Sequence, residues 1–170
     1  MRRTPLTMKV QKLPLPSEED EQKAYFDWVR IMRNRDKRFC MIYHIPNGSR
    51  TKREYYTTQS GERKSYSPEG VRLELMGVLE GVLDIAIDVP CRGYHGMKLE
   101  MKKQNYSYNS DVSKAQKEMI VALTDSGYYA SIGGGCAEAV RKTCWYFDIP
   151  VPNEFRDRTL NTNTKLTTKG

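Results

Sequence analysis

The spacing of apolar residues predicts four helices. Tyr25, Trp28, Val29 and Met32 follow the i, i+3, i+4, i+7 pattern that marks one buried helical face. Ser17 is a good N-cap before this stripe, and the acidic residues that directly follow Ser17 suit the positive end of a helix dipole. The first helix should therefore begin after Ser17 and run to about residue 34. Capping signals and amphipathic spacing predict the other three: from Ser67-Pro68 to near Gly77, from the Ser113-Gln116 capping box to Gly127, and over residues 137–146.

Short apolar runs between these helices predict strands at residues 39–44, 82–89, 97–102 and 128–132. The second and third form a hairpin about a turn near Arg92-Gly93, which brings Ile85 roughly opposite Glu100. The polar stretch 49–66 is predicted to be a loop or hairpin, and Gly133 to Gly135 a turn rather than a phosphate-binding loop. This order of elements predicts an α/β layered domain with a mixed sheet.

Length and composition set the class of protein. A chain of 170 residues, 38 % of them apolar, fits one domain and excludes a wholly disordered or membrane-inserted protein. We expect a basic arm at 1–16, a folded domain at 17–149 and a polar tail at 150–170. Neither a signal peptide nor a membrane segment is expected, and four scattered cysteines indicate reduced thiols rather than disulfides or zinc ligands, so the predicted location is the cytoplasm.

The charge pattern points to a polyanionic partner. Lys and Arg number 28 against 21 acids, a net charge of +7, and residues 30–64 alone hold ten basic and three acidic side chains. Tyr55, Tyr56 and Tyr66 interleave with this basic segment, as in surfaces that follow phosphates and stack on bases. A solvated basic loop is the alternative interpretation, and DNA contact is the one we favour.

Acidic residues gather at one end of the predicted hairpin. Lys98, Glu100 and Lys102 share one strand face, and Asp84 lies within about a residue of Glu100 across the ladder. Two carboxylates so close repel each other unless a cation lies between them, and Mg²⁺ prefers such oxygen ligands. Ordinary cross-strand ion pairing on a solvated face would give the same pattern, so these residues alone leave both interpretations open.

The first helix adds acids near the same layer. Glu18 and Glu21 project toward its buried stripe, whereas Glu19 and Asp20 point away. An inward acid could belong to a site, or it could simply complement the helix dipole from solvent.

Taken in order, these motifs resemble one family. Glu18-x-x-x-Gln22, Ile45-Pro46-Asn47-Gly48, Gly77-x-x-x-Gly81-Val82-Leu83-Asp84, Leu99-Glu100-Met101-Lys102 and Ser113-x-x-Gln116 are similar to the motifs of the VRR-NUC nucleases, over residues 17–147. These nucleases belong to the PD-(D/E)XK superfamily. The resemblance implies a restriction-endonuclease-like α/β core, in which a mixed β-sheet with a central antiparallel hairpin is flanked by helices.

The same resemblance implies metal-dependent cleavage of DNA. Asp84 and Glu100, with the Met101 carbonyl, would hold Mg²⁺, for which Mn²⁺ could substitute; Lys102 would lie beside the nucleophile. Glu18 would assist the metal or its water, a role that Glu21 could also take. Gln116 would support the site, although a capping box alone would explain it. The family's proline before the aspartate is Leu83 here, which removes local rigidity but no ligand.

Partners follow from the same comparison. DNA contacts are expected at five residues: Asn47, Arg50, Lys52, Arg53 and Lys103. Stand-alone members resemble junction-cleaving homodimers, so we expect a homodimer acting on branched DNA, with no small-molecule cofactor and no membrane partner, in a bacterial or phage-infected cell. The rival functions are a non-catalytic nucleic-acid-binding protein on the same fold and a sequence-specific restriction nuclease.

Overall fold

The structure, a computed structural model, describes residues 14–46 and 54–156, and all statements below concern these residues. The α-helices are α1 (Glu18–Arg33), α2 (Pro68–Leu75), α3 (Tyr108–Asp111), α4 (Lys114–Asp125) and α5 (Cys136–Phe147). The strands are β1 (Ile42–His44), β2 (Glu54–Thr57), β3 (Arg63–Tyr66), β4 (Ile85–Ile87), β5 (Met97–Lys102) and β6 (Tyr129–Gly134). Two short 3₁₀ helices lie at Lys37–Met41 and Asn153–Phe155.

Four strands form the main sheet in the order β1-β4-β5-β6. The pairs β1/β4 and β4/β5 are antiparallel, and β5/β6 is parallel. The sheet is therefore mixed, with an antiparallel hairpin at its centre, as the sequence predicts. The strands β2 and β3 form a separate two-stranded sheet.

The core lies between this sheet and the pair α1 and α5. Met97, Leu99 and Met101 are completely buried on the side of β5 that packs against these helices, as the alternation along the strand predicts. Aromatic rings from α1 and α5 fill the layer, and Trp28 makes an edge contact with Phe39 at 5.2 Å between ring centroids. Val151 and Phe155 also pack against this core.

Three helices begin at the residues that their capping signals predict. Ser17 and Ser113 each accept a hydrogen bond from the third helical N–H, and the side chains of Asp20 and Gln116 bond back to complete two capping boxes. Ser67 caps α2, with Pro68 at the first helical position.

Three boundary predictions are wrong. The strand predicted at 82–89 is only three residues long, as β4 (Ile85–Ile87). The first half of the predicted strand 39–44 is 3₁₀ helix, because the Asp36 carboxylate accepts from the Arg38 N–H and turns the chain. Gly133 and Gly134 belong to β6 rather than to a turn. A Cβ on Gly133 would lie 3.0 Å from the Ala139 side chain, so close packing, not chain reversal, requires glycine there.

The hairpin register also differs from the predicted one by a single residue, since Ile85 lies opposite Leu99. The turn itself is where the sequence predicts it, with Arg92 and Gly93 both at positive φ and a bridge between Cys91 and Tyr94. Between turn and ladder, residues 88–90 stand opposite only two residues, 95 and 96, and this extra residue shifts the pairing by one. Asp84 consequently falls directly opposite Glu100 when the ladder is extended by one residue.

No helix within the described residues is long and apolar enough to cross a bilayer. The four cysteines are free thiols, two of them buried.

Candidate active site

Asp84 is held on both sides at the entrance to β4. Its Oδ2 accepts a hydrogen bond from the Met101 N–H at 3.0 Å, and its main-chain carbonyl accepts from the Ile45 N–H at 2.7 Å. Just upstream, Gly81 has φ of +85°, and a Cβ there would lie 2.6 Å from the Ala115 carbonyl group. The segment that leads to Asp84 therefore packs closely against the start of α4, which only glycine allows.

Glu100 is a buried carboxylate with one satisfied and one unsatisfied oxygen. Its Oε1 accepts from Lys102 Nζ at 2.8 Å and from Gln116 Nε2. Its Oε2 is buried and has no hydrogen-bond partner among the described residues. Burial, and then the negative charge of Asp84, raise the pKa of Glu100 to about 7 against the opposing effect of Lys102.

Lys102 joins the carboxylates of β5 and α1. Its Nζ lies 2.8 Å from Glu100 and 3.8 Å from Glu18 Oε1, and the side chain is only 10 % exposed. Burial alone would lower the pKa of Lys102, but the hydrogen bond and charge of Glu100, with the charges of Glu18 and Asp84, raise it overall. The pKa of Glu18 is raised, first by partial burial, with Lys102 opposing. The cluster thus holds three acids and one ammonium.

Gln116 makes contacts that correspond to both alternatives left open by its sequence position. Its Oε1 accepts from the Ser113 N–H at 2.9 Å, which completes the capping box, and its Nε2 donates to Glu100. The first residues of α4 are therefore tied to the carboxylate on β5.

Glu21 is directed elsewhere. It is 4 % exposed, and its two oxygens accept from the Cys136 N–H and from Gln104 Nε2, each at 2.6 Å. A carboxylate at the first N–H groups of a helix is favoured by the helix dipole, so Glu21 anchors α5. Of the two inward acids, Glu18 is the one that lies beside Lys102.

The residues present fit a divalent cation of the magnesium type. In the described part of the chain, no three His, Cys, Asp or Glu side chains are gathered as a ready-made metal cage. Mg²⁺ needs only one or two carboxylates, because it keeps several waters. Asp84 and the unsatisfied Glu100 Oε2 provide these, and the Met101 carbonyl leaves β5 on the same side as its N–H, toward Asp84.

The predicted DNA contacts divide into two groups. Lys103 is exposed, with its Nζ 3.9 Å from Asp111, directly after Lys102 on the chain. The other four, Asn47, Arg50, Lys52 and Arg53, lie outside the described residues.

His44 and Gln22 border the cluster, and sequence analysis assigned His44 no role. His44 Nδ1 lies 2.9 Å from both Gln22 Nε2 and the Asp84 carbonyl. The signal available in the sequence was its position at the end of a strand, immediately before Ile45-Pro46. These contacts link α1, β1 and the Asp84 backbone.

Clustered acids and a lysine thus lie at one end of the central hairpin of a mixed sheet. Comparison with solved structures finds a protein described as a "VRR_NUC domain protein", with a TM-score of 0.60 and 26 % identity over 81 % of this chain and 93 % of that one. No family model and no curated protein sequence matches the chain. The structural similarity confirms the predicted fold class and supports a VRR-NUC domain in this chain.

Proposed function

We propose that this protein is a metal-dependent DNA endonuclease. One observation carries the proposal above the others: the buried Glu100 carboxylate, opposite Asp84 and beside Lys102, keeps an oxygen that no described residue bonds. Leaving a buried carboxylate oxygen unpaired costs stability, and a bound cation would remove that cost. A purely DNA-binding surface has no use for such acids facing a phosphate backbone.

Asp84, Glu100 and the Met101 carbonyl would hold the cation. When bound, it would polarise the scissile phosphate and lower the pKa of a coordinated water. Lys102, kept charged by Glu100, is available to stabilise negative charge that develops on the phosphate oxygens. Glu18 is about half-exposed and has a raised pKa, so it can accept a proton from water in the same cluster.

The substrate we propose is branched DNA, and the active form a homodimer, as the resemblance to stand-alone VRR-NUC nucleases implies. The net charge of +7 supports an extended polyanionic partner. The rivals are a non-catalytic DNA-binding protein and a sequence-specific restriction nuclease.

A substrate panel separates these functions. Linear, nicked, flap and four-way-junction DNA would be incubated with the wild type and with Glu100→Ala, in Mg²⁺, in Mn²⁺ and in chelator. We expect wild-type cleavage with either metal, fastest on the branched substrates, and none with chelator or with the variant. Tight, salt-dependent binding without any cleavage would support the binding protein, and cutting at fixed sites in linear duplex would support the restriction nuclease.

A further inference from the structure

The β2–β3 hairpin exposes aromatic rings on both of its faces. All eight strand residues are exposed, and Tyr55, Tyr56 and Tyr66 expose 62 %, 48 % and 45 % of their surface. A two-stranded hairpin without a core is marginally stable in water. Exposed aromatic surface of this kind marks a place of interaction.

The two faces differ in charge. The register sets Tyr55 opposite Ser65 and Tyr56 opposite Lys64, so Tyr55, Thr57, Arg63 and Ser65 share one face. On the opposite face, the side chains contact each other: the Tyr56 and Tyr66 rings meet edge-on at 5.9 Å between centroids, and the Tyr66 hydroxyl donates a hydrogen bond to Glu54 at 3.0 Å. This face carries the acid Glu54, and its cation, Lys64, lies 3.4 Å from Glu62, so its charges are already balanced.

The face with Tyr55 has a cation and no acid. The Arg63 guanidinium lies over the Tyr55 ring, 4.8 Å from its centroid, and has no ion-pair partner among the described residues. A guanidinium stacked on an aromatic ring offers a flat surface for a nucleobase and N–H donors for a phosphate. In the sequence, Arg50, Lys52 and Arg53 come just before this hairpin and add positive charge.

In the sequence, the hairpin lies between two segments that contact active-site residues. Upstream, the Ile45 N–H donates to the Asp84 carbonyl. Downstream, Ser67 starts α2, and the segment after α2 lines a cavity together with Gln116, whose side chain reaches Glu100. In sequence, the hairpin is therefore flanked on both sides by segments that contact Asp84 or Glu100.

We propose that the face formed by Tyr55 and Arg63 binds unpaired bases of a DNA substrate by stacking. Bases within a duplex are already stacked on each other, whereas unpaired bases expose a π-face that an aromatic ring can take. The hairpin thus selects DNA with a single-stranded region beside the cleavage site. This inference rests on the proposed nuclease function, and it assigns the preference for branched DNA to a particular surface.

The test is DNA binding measured by fluorescence anisotropy, with Ca²⁺ in place of Mg²⁺ to prevent cleavage. The probes are a labelled oligothymidylate and a fully paired duplex, and the variants are Tyr55→Ala, Tyr55→Phe and Arg63→Ala. We expect Tyr55→Ala to weaken oligothymidylate binding on the order of 10-fold with little change for the duplex. Tyr55→Phe keeps the ring and should bind like the wild type, and Arg63→Ala tests the same face if Tyr55→Ala does not fold.

Trp145→Ala is the matched control. Trp145 is 44 % exposed and also lies under an arginine, Arg92, at 4.8 Å, but it belongs to α5 and lies beside the β4–β5 turn, away from Glu100. Binding by this variant should be unchanged. An equal loss for both probes in Tyr55→Ala, no loss at all, or the same loss in Trp145→Ala would overturn the proposal. So would a fall in sedimentation mass caused by Tyr55→Ala, because the hairpin would then cover a second copy of the chain.

Cleavage in Mg²⁺ distinguishes this failure from failure of the proposed function. If the wild type cleaves neither a forked nor a paired substrate, the nuclease proposal fails. If it cleaves and Tyr55→Ala slows cleavage of both substrates alike, only the stacking proposal fails.

Discussion

Glu18 and Glu21 lie about one helical turn apart on α1, yet they contact different groups: Glu18 lies beside Lys102, and Glu21 bonds to the start of α5. We expect Glu18→Gln to lower DNA cleavage on the order of 100-fold with an unchanged Tm, because Glu18 borders Lys102 and remains partly exposed. Glu21→Ala should instead cost about 1–3 kcal/mol of unfolding free energy, since it removes the acceptor of the Cys136 N–H at the start of α5. Cleavage rates and thermal melts of both variants check this, and the reverse pattern would give Glu21 the site role.

Gln116 makes one bond to the helix cap and one to Glu100, and two variants separate them. Ser113→Ala removes the cap and should cost about 1 kcal/mol of stability while leaving cleavage near the wild-type rate. Gln116→Glu keeps an acceptor for the Ser113 N–H but replaces the donor to Glu100 with a carboxylate, so we expect a large loss of cleavage. If both variants cleave DNA at the same rate, then Gln116 acts only as a capping residue.

The raised pKa of Glu100 predicts how stability and metal binding depend on pH. Without metal, the folded protein holds the Glu100 proton up to a pKa of about 7, whereas the unfolded chain releases it near 4.5. The free energy of unfolding should therefore decrease between those two pH values as pH rises. A divalent cation competes with that proton, so Mg²⁺ should raise the Tm more at about pH 8 than at about pH 6.

Thermal melts with and without Mg²⁺ measure this difference, and Glu100→Gln is the control. The variant cannot exchange a proton for a cation, so its Mg²⁺ response should be small and independent of pH. A wild-type response that is the same at both pH values would contradict the cation site at Glu100.

At the scale of elements, the contact between Gly81 and α4 sets the position of Asp84. Gly81→Ala combines an unfavourable positive φ with a Cβ 2.6 Å from the Ala115 backbone, so it should lower both stability and cleavage. Gly77→Ala is the matched control, because Gly77 has φ of +89° but nothing within 4 Å of its Cβ position. We expect Gly77→Ala to lower the free energy of unfolding by about 1 kcal/mol and to leave the cleavage rate unchanged. Equal effects in thermal melts and cleavage would mean that the α4 contact does not matter.

Elements with local signals could be predicted from the sequence. Ser17, Ser67-Pro68 and Ser113 each start a helix where the capping rule expects one, because a cap is satisfied by residues within one turn of chain. The short run at residues 39–41 is wrongly predicted as strand, since three apolar residues fit a strand and a 3₁₀ turn equally well. Asp36, which accepts from the Arg38 N–H, was the available signal.

Features that depend on contacts between distant segments could not be predicted from the sequence. One extra residue in the segment 88–90, opposite residues 95 and 96, shifts the hairpin register by one. The difference between Glu18 and Glu21 arises only where α5 meets α1, because both acids face inward on the helix. The grouping of Asp84, Glu100 and Lys102 was predictable, since it follows from strand alternation and one hairpin.

At the scale of the whole molecule, the basic side chains form two groups: some bond to the main chain within the fold, and others are exposed on the surface. Arg33 and Arg38 donate to main-chain carbonyls of Ile42 and Phe147, so part of the basic segment holds the fold together. The exposed Arg63 and Lys103 remain available near the hairpin and β5. Against this basic background, three acids lie around one buried lysine, and the cation that we propose would reconcile them with DNA.

Cleavage of covalently closed circular DNA tests this account most directly, because a circle has no ends and any product requires an internal cut. Wild type and Glu100→Gln would be compared in Mg²⁺ and in chelator, with folding verified by thermal melts. We expect the wild type to convert circles to nicked or linear forms only in Mg²⁺, and the folded variant to leave them intact. Equal cleavage in chelator, or by Glu100→Gln, would contradict a metal-dependent nuclease built on Glu100.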